Sequence, residues 1–341
     1  MLVSDFDYDL PPALIAQQPV EPRDAARLLV VHRDSGKLEH RVFRDLPAYL
    51  RAGDVLVLND TRVLPARLLG AKETTGGRVE VLLLRRHGPD TWEALVRPGR
   101  RVPVGTRIVF AGGRLAAVVL DRTAAGGRLL RFEPADDLDA RLAELGQVPL
   151  PPYIREPLAD PERYQTVYAR EAGSAAAPTA GLHFTPALLE RLRAQGVLLV
   201  HLTLHVGLGT FRPVQVERVQ DHRMHAEFYA VPAETAAAVN EAKEEGRRVV
   251  AVGTTAARTL EAVADDEGRV EAGEGWTDLF IYPGYRWKVV DALVTNFHLP
   301  RSTLLMLVSA FLGRERTLAA YQEAVERGYR FFSFGDAMLI L

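Results

Sequence analysis

The sequence predicts an α/β protein, a three-layer α/β sandwich body with a small antiparallel β-barrel domain inserted into it. Three observations carry this. Unbroken apolar runs of strand length alternate with helical patterns over most of the 341 residues, as expected for a sheet buried on both faces. Between Pro65 and Glu133 that texture gives way to short β-rich pieces cut by Gly, Pro and Asp. The same segment is basic, with thirteen basic and five acidic residues from Arg67 to Arg131, a surplus of eight, whereas the rest of the chain carries −10. Residues 1–64 and 134–341 are therefore expected to form the α/β body and residues 65–133 the inserted basic barrel. A basic module on an acidic body suits a polyanion such as nucleic acid, although an arginine-rich composition alone would also decorate an exposed sheet.

The elements follow in order. Leu28–His32 and Leu38–Phe43 read as strands around the turn residues Asp34, Ser35 and Gly36, and Phe43–Arg51 as a helix ended by Gly53. Asp54–Asn59 is an unbroken apolar run, hence a buried strand. In the insert, Val79–Leu84, Trp92–Val96, Arg107–Phe110, Leu115–Leu120 and Leu129–Phe132 are the strands. A helix over Leu138–Leu145 leads into a stiff connector, Pro149–Pro152, and an extended polar stretch, Tyr153–Tyr168. Val197–Val206 is a strand, Glu234–Glu245 a helix and Arg248–Val252 a strand; Gly253-Thr-Thr255 is a turn before a helix over Ala256–Ala264. Leu279–Tyr282 and Val289–Thr295 are expected strands, Ser302–Phe311 a helix with Ser302 as N-cap, and Glu315–Arg327 another. Phe331–Phe334 and Ala337–Leu341 are the last strands.

Composition narrows the chemistry. The chain has no cysteine, which excludes disulfides, thiolate nucleophiles and cysteine-ligated metal or iron–sulfur centres. No apolar run reaches membrane-span length and no cationic start precedes one, so a cytoplasmic protein is expected. Dinucleotide-binding GxGxxG, the phosphate-binding GxxxxGK[ST] and the GxSxG nucleophile elbow are all missing. Asp221-His222-Arg-Met-His225-Ala-Glu227 holds two histidines and carboxylates, but without a helical period around them metal binding is the weaker reading.

Four element ends place polar side chains beside Gly, Thr or Pro. The buried strand delivers Asn59, Asp60, Thr61 and Arg62 at its carboxyl end, where open α/β sheets place ligands. The stretch EAGSAAAPTAGLHFTP (Glu171–Pro186) is almost free of long side chains until His183 and Phe184, so its backbone is open to close approach. It runs into a helix start at Thr185 and Pro186, whose unpaired N–H groups favour an anion. A loop packed tightly on a neighbouring strand is the alternative. His205 with Gly207, Gly209, Thr210 and Phe211 follows a strand that also carries His201 on the same face, and Asn296 and His298 precede Pro300. Gly253, Thr254 and Thr255 form a second, weaker anion cradle. Single histidines are usually structural, but three at such ends point to proton transfer near neutral pH.

The motifs NDTRV (Asn59–Val63), PTAGLHFT (Pro178–Thr185), HVGLGTFRPV (His205–Val214), HAEFY (His225–Tyr229), VGTT (Val252–Thr255), TDLFIYPGY (Thr277–Tyr285) and TNFHLPRSTLLML (Thr295–Leu307) closely resemble those of the QueA family. SDFDYDLP (Ser4–Pro11) and FFSFGDAMLI (Phe331–Ile340) extend the resemblance over essentially the whole chain. These are S-adenosylmethionine:tRNA ribosyltransferase-isomerases. Ala256-Ala257 after VGTT departs from the expected Ser-Val and puts in doubt only a hydroxyl there. The resemblance implies an α/β body with an inserted β-barrel. It also implies transfer and isomerisation of the ribosyl moiety of S-adenosylmethionine onto 7-aminomethyl-7-deazaguanine at the tRNA wobble position, giving epoxyqueuosine, adenine and methionine. S-adenosylmethionine is then a cosubstrate, tRNA the partner, and no metal is called for.

That chemistry assigns proton transfers to His183, His205 and His298, with Asp60 and Arg62 orienting substrate groups. The loop Pro178, Thr179, Ala180, Gly181 to Phe184 is expected to hold the cosubstrate, its amides facing the methionine carboxylate. Arg97, Arg100 and Arg101 are the expected tRNA contacts. Two other classes compete: a non-catalytic RNA-binding module using the basic barrel, which would bind RNA without consuming S-adenosylmethionine, and a methyltransferase, which would yield S-adenosylhomocysteine rather than adenine.

Overall fold

The computed structural model describes residues 1–123, 126–207 and 214–341. The chain divides into two compact units. The larger contains Met1–Arg62, Pro152–Glu171 and Ala177–Leu341; the smaller contains Val63–Pro151 and Ala172–Ala176.

In the larger unit the strands are β1 (Arg27–Val31), β2 (Leu38–Val42) and β3 (Val55–Asn59), then β12 (Leu198–Leu204), β13 (Glu227–Val231) and β14 (Val249–Val252). With β15 (Gly273–Thr277), β16 (Ala292–Asn296) and β17 (Ala337–Ile340) they form, among the described residues, one nine-stranded sheet ordered β15-β13-β12-β3-β14-β16-β17-β1-β2. Strands β12, β3, β14 and β16 run parallel to one another, so their carboxyl ends lie along one edge. Residues alternate strictly between two cores. Val55, Val57, Val249, Ala251 and Leu293 face one, and Leu56, Leu58, Val250, Val252, Ala292 and Val294 the other. Helices α3 (Ala233–Glu244), α4 (Gly253–Val263), α5 (Thr303–Leu312) and α6 (Arg314–Glu326) close the first face through residues such as Val239, Leu260, Val308 and Tyr321. Helix α2 (Pro186–Ala194) closes the second with Leu188, Leu189 and Leu192, beside Phe43 and Leu46. This is the three-layer α/β arrangement expected from unbroken apolar strands.

The smaller unit is a closed antiparallel barrel ordered β10-β7-β6-β5-β8-β9. Its strands are β5 (Arg67–Lys72), β6 (Arg78–Arg86), β7 (Thr91–Arg97), β8 (Arg107–Phe110), β9 (Leu115–Arg122) and β10 (Arg128–Glu133). Alternation is visible along β6, where Val79, Val81 and Leu83 are buried between more exposed neighbours. The unit is wider than the expected segment 65–133, because α1 (Leu138–Leu145) puts Leu138 and Leu142 into the barrel core. The chain enters and leaves along β4 (Thr61–Val63) and β11 (Glu171–Ser174), which pair with each other.

Several local expectations change. Phe43–Ala48 is a 3-10 helix rather than a helix to Arg51; Pro47 inside it cannot supply an α-helical N–H. Leu279–Tyr282 and Phe331–Phe334 are not strands. Ile281 and Phe331 are buried by packing, with Phe331 making only an isolated bridge to Ile15. Strand β15 instead pairs with β13 at the sheet edge. Strand β5 was hidden by Gly70, whose missing Cβ leaves room for the Phe110 ring 2.6 Å away. Within Tyr153–Tyr168, Tyr164 is fully buried at the end of a short 3-10 turn.

One side chain ties the site end of the sheet together. Asn59 donates through Nδ2 to the Leu204 carbonyl at 3.1 Å, and its Oδ1 accepts from the amides of Leu204 and Thr61 at 3.0 and 3.1 Å. The amide thereby continues the pairing of β3 with β12 beyond the last backbone rung. Asn59→Ala removes three buried hydrogen bonds, for an expected loss of about 3 kcal/mol at about 1 kcal/mol each. Urea midpoints measure it; Asn59→Asp, which cannot donate to Leu204, should recover little.

Candidate active site

The carboxyl edge of the four parallel strands gathers most of the expected site residues. Asn59, Asp60 and Thr61 follow β3, His205 follows β12, Gly253 to Thr255 follow β14, and Asn296 and His298 end β16. Gly207 is described, whereas Gly209, Thr210 and Phe211 lie outside the described residues.

The first cluster joins β3 to β12. Asp60 is buried, its Oδ1 accepting from the Thr203 hydroxyl at 2.8 Å and its Oδ2 from Arg170 at 2.8 Å. Its carbonyl accepts from the amides of Arg170 and Glu171. Asp60 is thus a fixed negative charge holding Arg170. Next to it, the Thr61 hydroxyl lies 2.8 Å from His205 Nδ1, and the imidazole stacks on Phe228 with ring centroids 5.5 Å apart. Burial lowers the His205 pKa, opposed by the charge of Asp60. Among the described residues, Nδ1 is the ring nitrogen that is bonded. His201, one repeat back on the same face, packs its ring against Tyr168.

The second cluster centres on Asn296. Its Nδ2 donates to the Phe332 carbonyl at 3.1 Å, an acceptor only, which fixes that atom as the amide nitrogen. The second hydrogen of Nδ2 then meets His183 Nε2 at 3.2 Å, so the His183 proton sits on Nδ1. Asn296 Oδ1 accepts from Thr179 at 3.3 Å. His183 packs against Phe43 and is buried; burial, then the charges of Arg330 and Arg23, push its pKa down to about 3. His298 is likewise pushed to about 3 by burial, its Nε2 2.7 Å from the Thr295 hydroxyl. Both are neutral imidazoles at pH 7 and poor proton acceptors. These burial effects leave His205 as the histidine best placed to exchange a proton.

The small-residue loop is packed rather than bare. Thr179–His183 forms a 3-10 turn, and Ala180, Gly181, Leu182, His183 and Phe184 are buried. A Cβ on Gly181 would lie 2.1 Å from Tyr168 Oη, so the glycine is required by the tyrosine. Arg23 supports the turn through the carbonyls of Gln165 and Leu182. At the start of α2, Thr185 caps Leu188 N at 3.1 Å and also meets the carboxylate of Asp24, so the anion expected there is supplied by the protein itself.

The GTT segment is different. It forms the first turn of α4 rather than a separate turn, and no side chain caps that helix. Gly253 lies against the loop, its Cβ position 3.6 Å from the Ala180 methyl. Among the described residues, the hydroxyls of Thr166, Tyr168 and Thr255 are buried without a protein partner. Orphan hydroxyls of this kind on both sides of one loop mark a polar ligand or water site.

Sequence reasoning missed a buried ion pair. Arg258 on α4 pairs with Glu227 at the start of β13, and Glu227 Oε1 accepts from Gly207 N at 2.8 Å. Burial brings the Arg258 pKa down to about 10, which still leaves it charged. The signal was present: Arg258 interrupts the otherwise apolar face Ala256, Ala257, Leu260. Glu227 is therefore committed, and His222 packs on Phe280; among the described residues no group of three His, Asp or Glu side chains is arranged to hold a metal ion. Arg62 pairs with Glu162 at the surface rather than joining either cluster.

In the smaller unit, Arg97, Arg100 and Arg101 are exposed around the 3-10 turn Gly99–Arg101. Buried Arg128 holds that turn by donating to the carbonyls of Gly99, Val102 and Gly127 at 2.7, 3.1 and 2.9 Å. Arg67, Arg86, Arg107 and Arg114, by contrast, are paired with carboxylates.

Comparison with known proteins agrees with this arrangement. The family model described as "Queuosine biosynthesis protein" matches residues 3–340. S-adenosylmethionine:tRNA ribosyltransferase-isomerases from Moorella thermoacetica and Symbiobacterium thermophilum are each 65% identical over 342 and 341 residues, covering all of both chains. The crystal structure of S-adenosylmethionine tRNA ribosyltransferase from Thermotoga maritima aligns with a TM-score of 0.57 at 47% identity, over 99% of this chain and 100% of that one. No helix among the described residues is long and apolar enough to cross a membrane. With its whole length matched and its motif-bearing strand ends at one sheet edge, the chain belongs to the queuosine biosynthesis protein family.

Proposed function

We propose that the chain is an S-adenosylmethionine:tRNA ribosyltransferase-isomerase, acting on 7-aminomethyl-7-deazaguanine at the wobble position and releasing adenine and methionine. The observation that carries this reading is the gathering of the family motifs at the carboxyl edge of β12, β3, β14 and β16, in a chain 65% identical to enzymes of that name. A tRNA substrate of this kind also makes the cytoplasm its place of work.

The reaction needs a base for the acidified proton at the ribose 5′ carbon, an acid for departing adenine, and donors for the ribose oxygens. His205 is assigned the proton transfer, oriented through Nδ1 by Thr61, with Asp60 as the charge that favours imidazolium once it forms. His183, Asn296 and Thr179 act as a neutral, preorganised hydrogen-bonding wall. The methionine carboxylate is placed at the uncapped start of α4, against Thr254 and Thr255, rather than at α2. The basic barrel, through Arg97, Arg100 and Arg101, takes the RNA backbone.

Incubation with substrate tRNA and S-adenosylmethionine should release adenine; S-adenosylhomocysteine would identify a methyltransferase, and RNA binding without turnover a passive module. His205→Ala should slow adenine release about 10²–10⁴-fold. Because burial lowers the His205 pKa, the acidic fall in kcat/KM should lie below pH 6.5, where the imidazole becomes protonated, and vanish from the residual activity of the variant. Near-normal rates in Ala variants of His183, His205 and His298 alike would refute histidine catalysis. Thr255→Val, nearly isosteric, should raise KM for S-adenosylmethionine about tenfold for one lost hydrogen bond to a charged group; an unchanged KM would remove the carboxylate from α4. The triple Ala variant of Arg97, Arg100 and Arg101 should weaken tRNA binding and reduce the slope of log K against log salt by about 2–3. An unchanged slope would take these arginines out of the interface.

A further inference from the structure

The histidine of the first cluster is the inner end of an aromatic row. His205 stacks on Phe228 at 5.5 Å, and Phe228 meets Trp276 edge to face at 5.8 Å. The three residues sit side by side on β12, β13 and β15: the His205 amide bonds the Phe228 carbonyl, and Phe228 is the register partner of Trp276. Strand alternation puts their side chains on one sheet face, while Glu227 and Thr277 turn to the other and are buried. Burial falls outward along the row, from half-buried His205 and Phe228 to Trp276, which is 53% exposed. An indole left this open at a sheet edge is expensive in water unless something covers it.

We propose that Phe228 and Trp276 form a stacking platform for an unpaired base of the RNA substrate, a neighbour of the nucleotide presented to His205. This rests on the functional reading above and names how that site holds its RNA. Sequence-specific enzymes reach RNA bases in single-stranded loops, and splayed bases stack on aromatic side chains. A row that starts at the reacting group and continues outward is placed to hold the next base in the loop. The neighbouring groove of about 770 Å³, which Trp276 also borders, is a poor seat for the phosphate chain because Glu261, Asp266 and Asp278 line it. That leaves the ring faces, not the groove, as the contact.

Trp276→Ala should raise KM for a stem–loop RNA carrying the substrate base about tenfold, as expected for one lost base–aromatic stack. KM for S-adenosylmethionine should not move, and Trp276→Phe should restore most of the loss. An RNA KM within twofold of wild type in Trp276→Ala overturns the platform. Were no adenine released by the wild-type protein, the catalytic reading would fail while the platform remained open to a separate measurement. The same RNA should quench tryptophan fluorescence in wild type more than in Trp276→Phe, and equal quenching in the two proteins would overturn the platform on its own.

Discussion

A strand buried on both faces has nowhere to put a polar side chain except at its ends. That constraint governs the larger unit. Val55–Leu58, Val249–Val252 and Ala292–Val294 alternate between two apolar cores, and any polar group within them would forfeit its water without finding a partner. Polar residues therefore collect where the strands stop. Because β12, β3, β14 and β16 are parallel neighbours, those stops fall along one edge. Asn59, Asp60, Thr61, His205, Thr255 and Asn296 are brought together by the same burial that stabilises the sheet.

Burial then sorts residues of one chemical type into different tasks. His183 and His298 are enclosed so fully that a proton on either costs more than the site returns, and both are held by neutral partners, Asn296 and Thr295. His205 is less enclosed and faces the charge of Asp60, which favours the cation. The same sorting applies to the carboxylates. Asp60 and Glu227 are fixed by Arg170 and Arg258, so they shape the field and position the backbone rather than shuttle protons. It also implies acid sensitivity. Above about pH 6.5 the buried neutral histidines cost nothing in linkage; as pH falls from there towards 3, the unfolded chain binds protons that His183 and His298 cannot, and stability is lost.

The parts of the fold legible in sequence were those set by local pattern. The run Asp54–Asn59, the helix Leu138–Leu145 and the caps Thr185 and Ser302 needed only periodicity and capping chemistry, and the structure shows the strand, the helix and both caps. What escaped depended on distant partners. Leu279–Tyr282 is as apolar as a strand but is spent on packing, and β5 was concealed by a glycine whose purpose is the Phe110 ring across the barrel. The site shows the same division. Its strand ends were readable, but Arg170, Arg258 and Asp24 act through residues far away in the chain, and no local signal tells which of two helix starts keeps its amides open.

That last distinction decides where an anion can bind. Both α2 and α4 begin beside the Thr179–His183 turn or its continuation, and both offer a positive helix end. At α2 the Thr185 hydroxyl caps an amide and Asp24 already brings a carboxylate. At α4 the cap residue is Val252, which has nothing to donate or accept, and the Thr255 hydroxyl is buried beside it without a protein partner among the described residues. A buried donor left unmade costs about 1–3 kcal/mol, so a fold that keeps one at an uncapped helix start gives up stability there. A ligand carboxylate satisfies the helix and the hydroxyl together. The small-residue loop serves that site differently from the way its composition suggests: Gly181 and Ala180 do not touch the anion with bare amides but let Tyr168 and α4 close in around it.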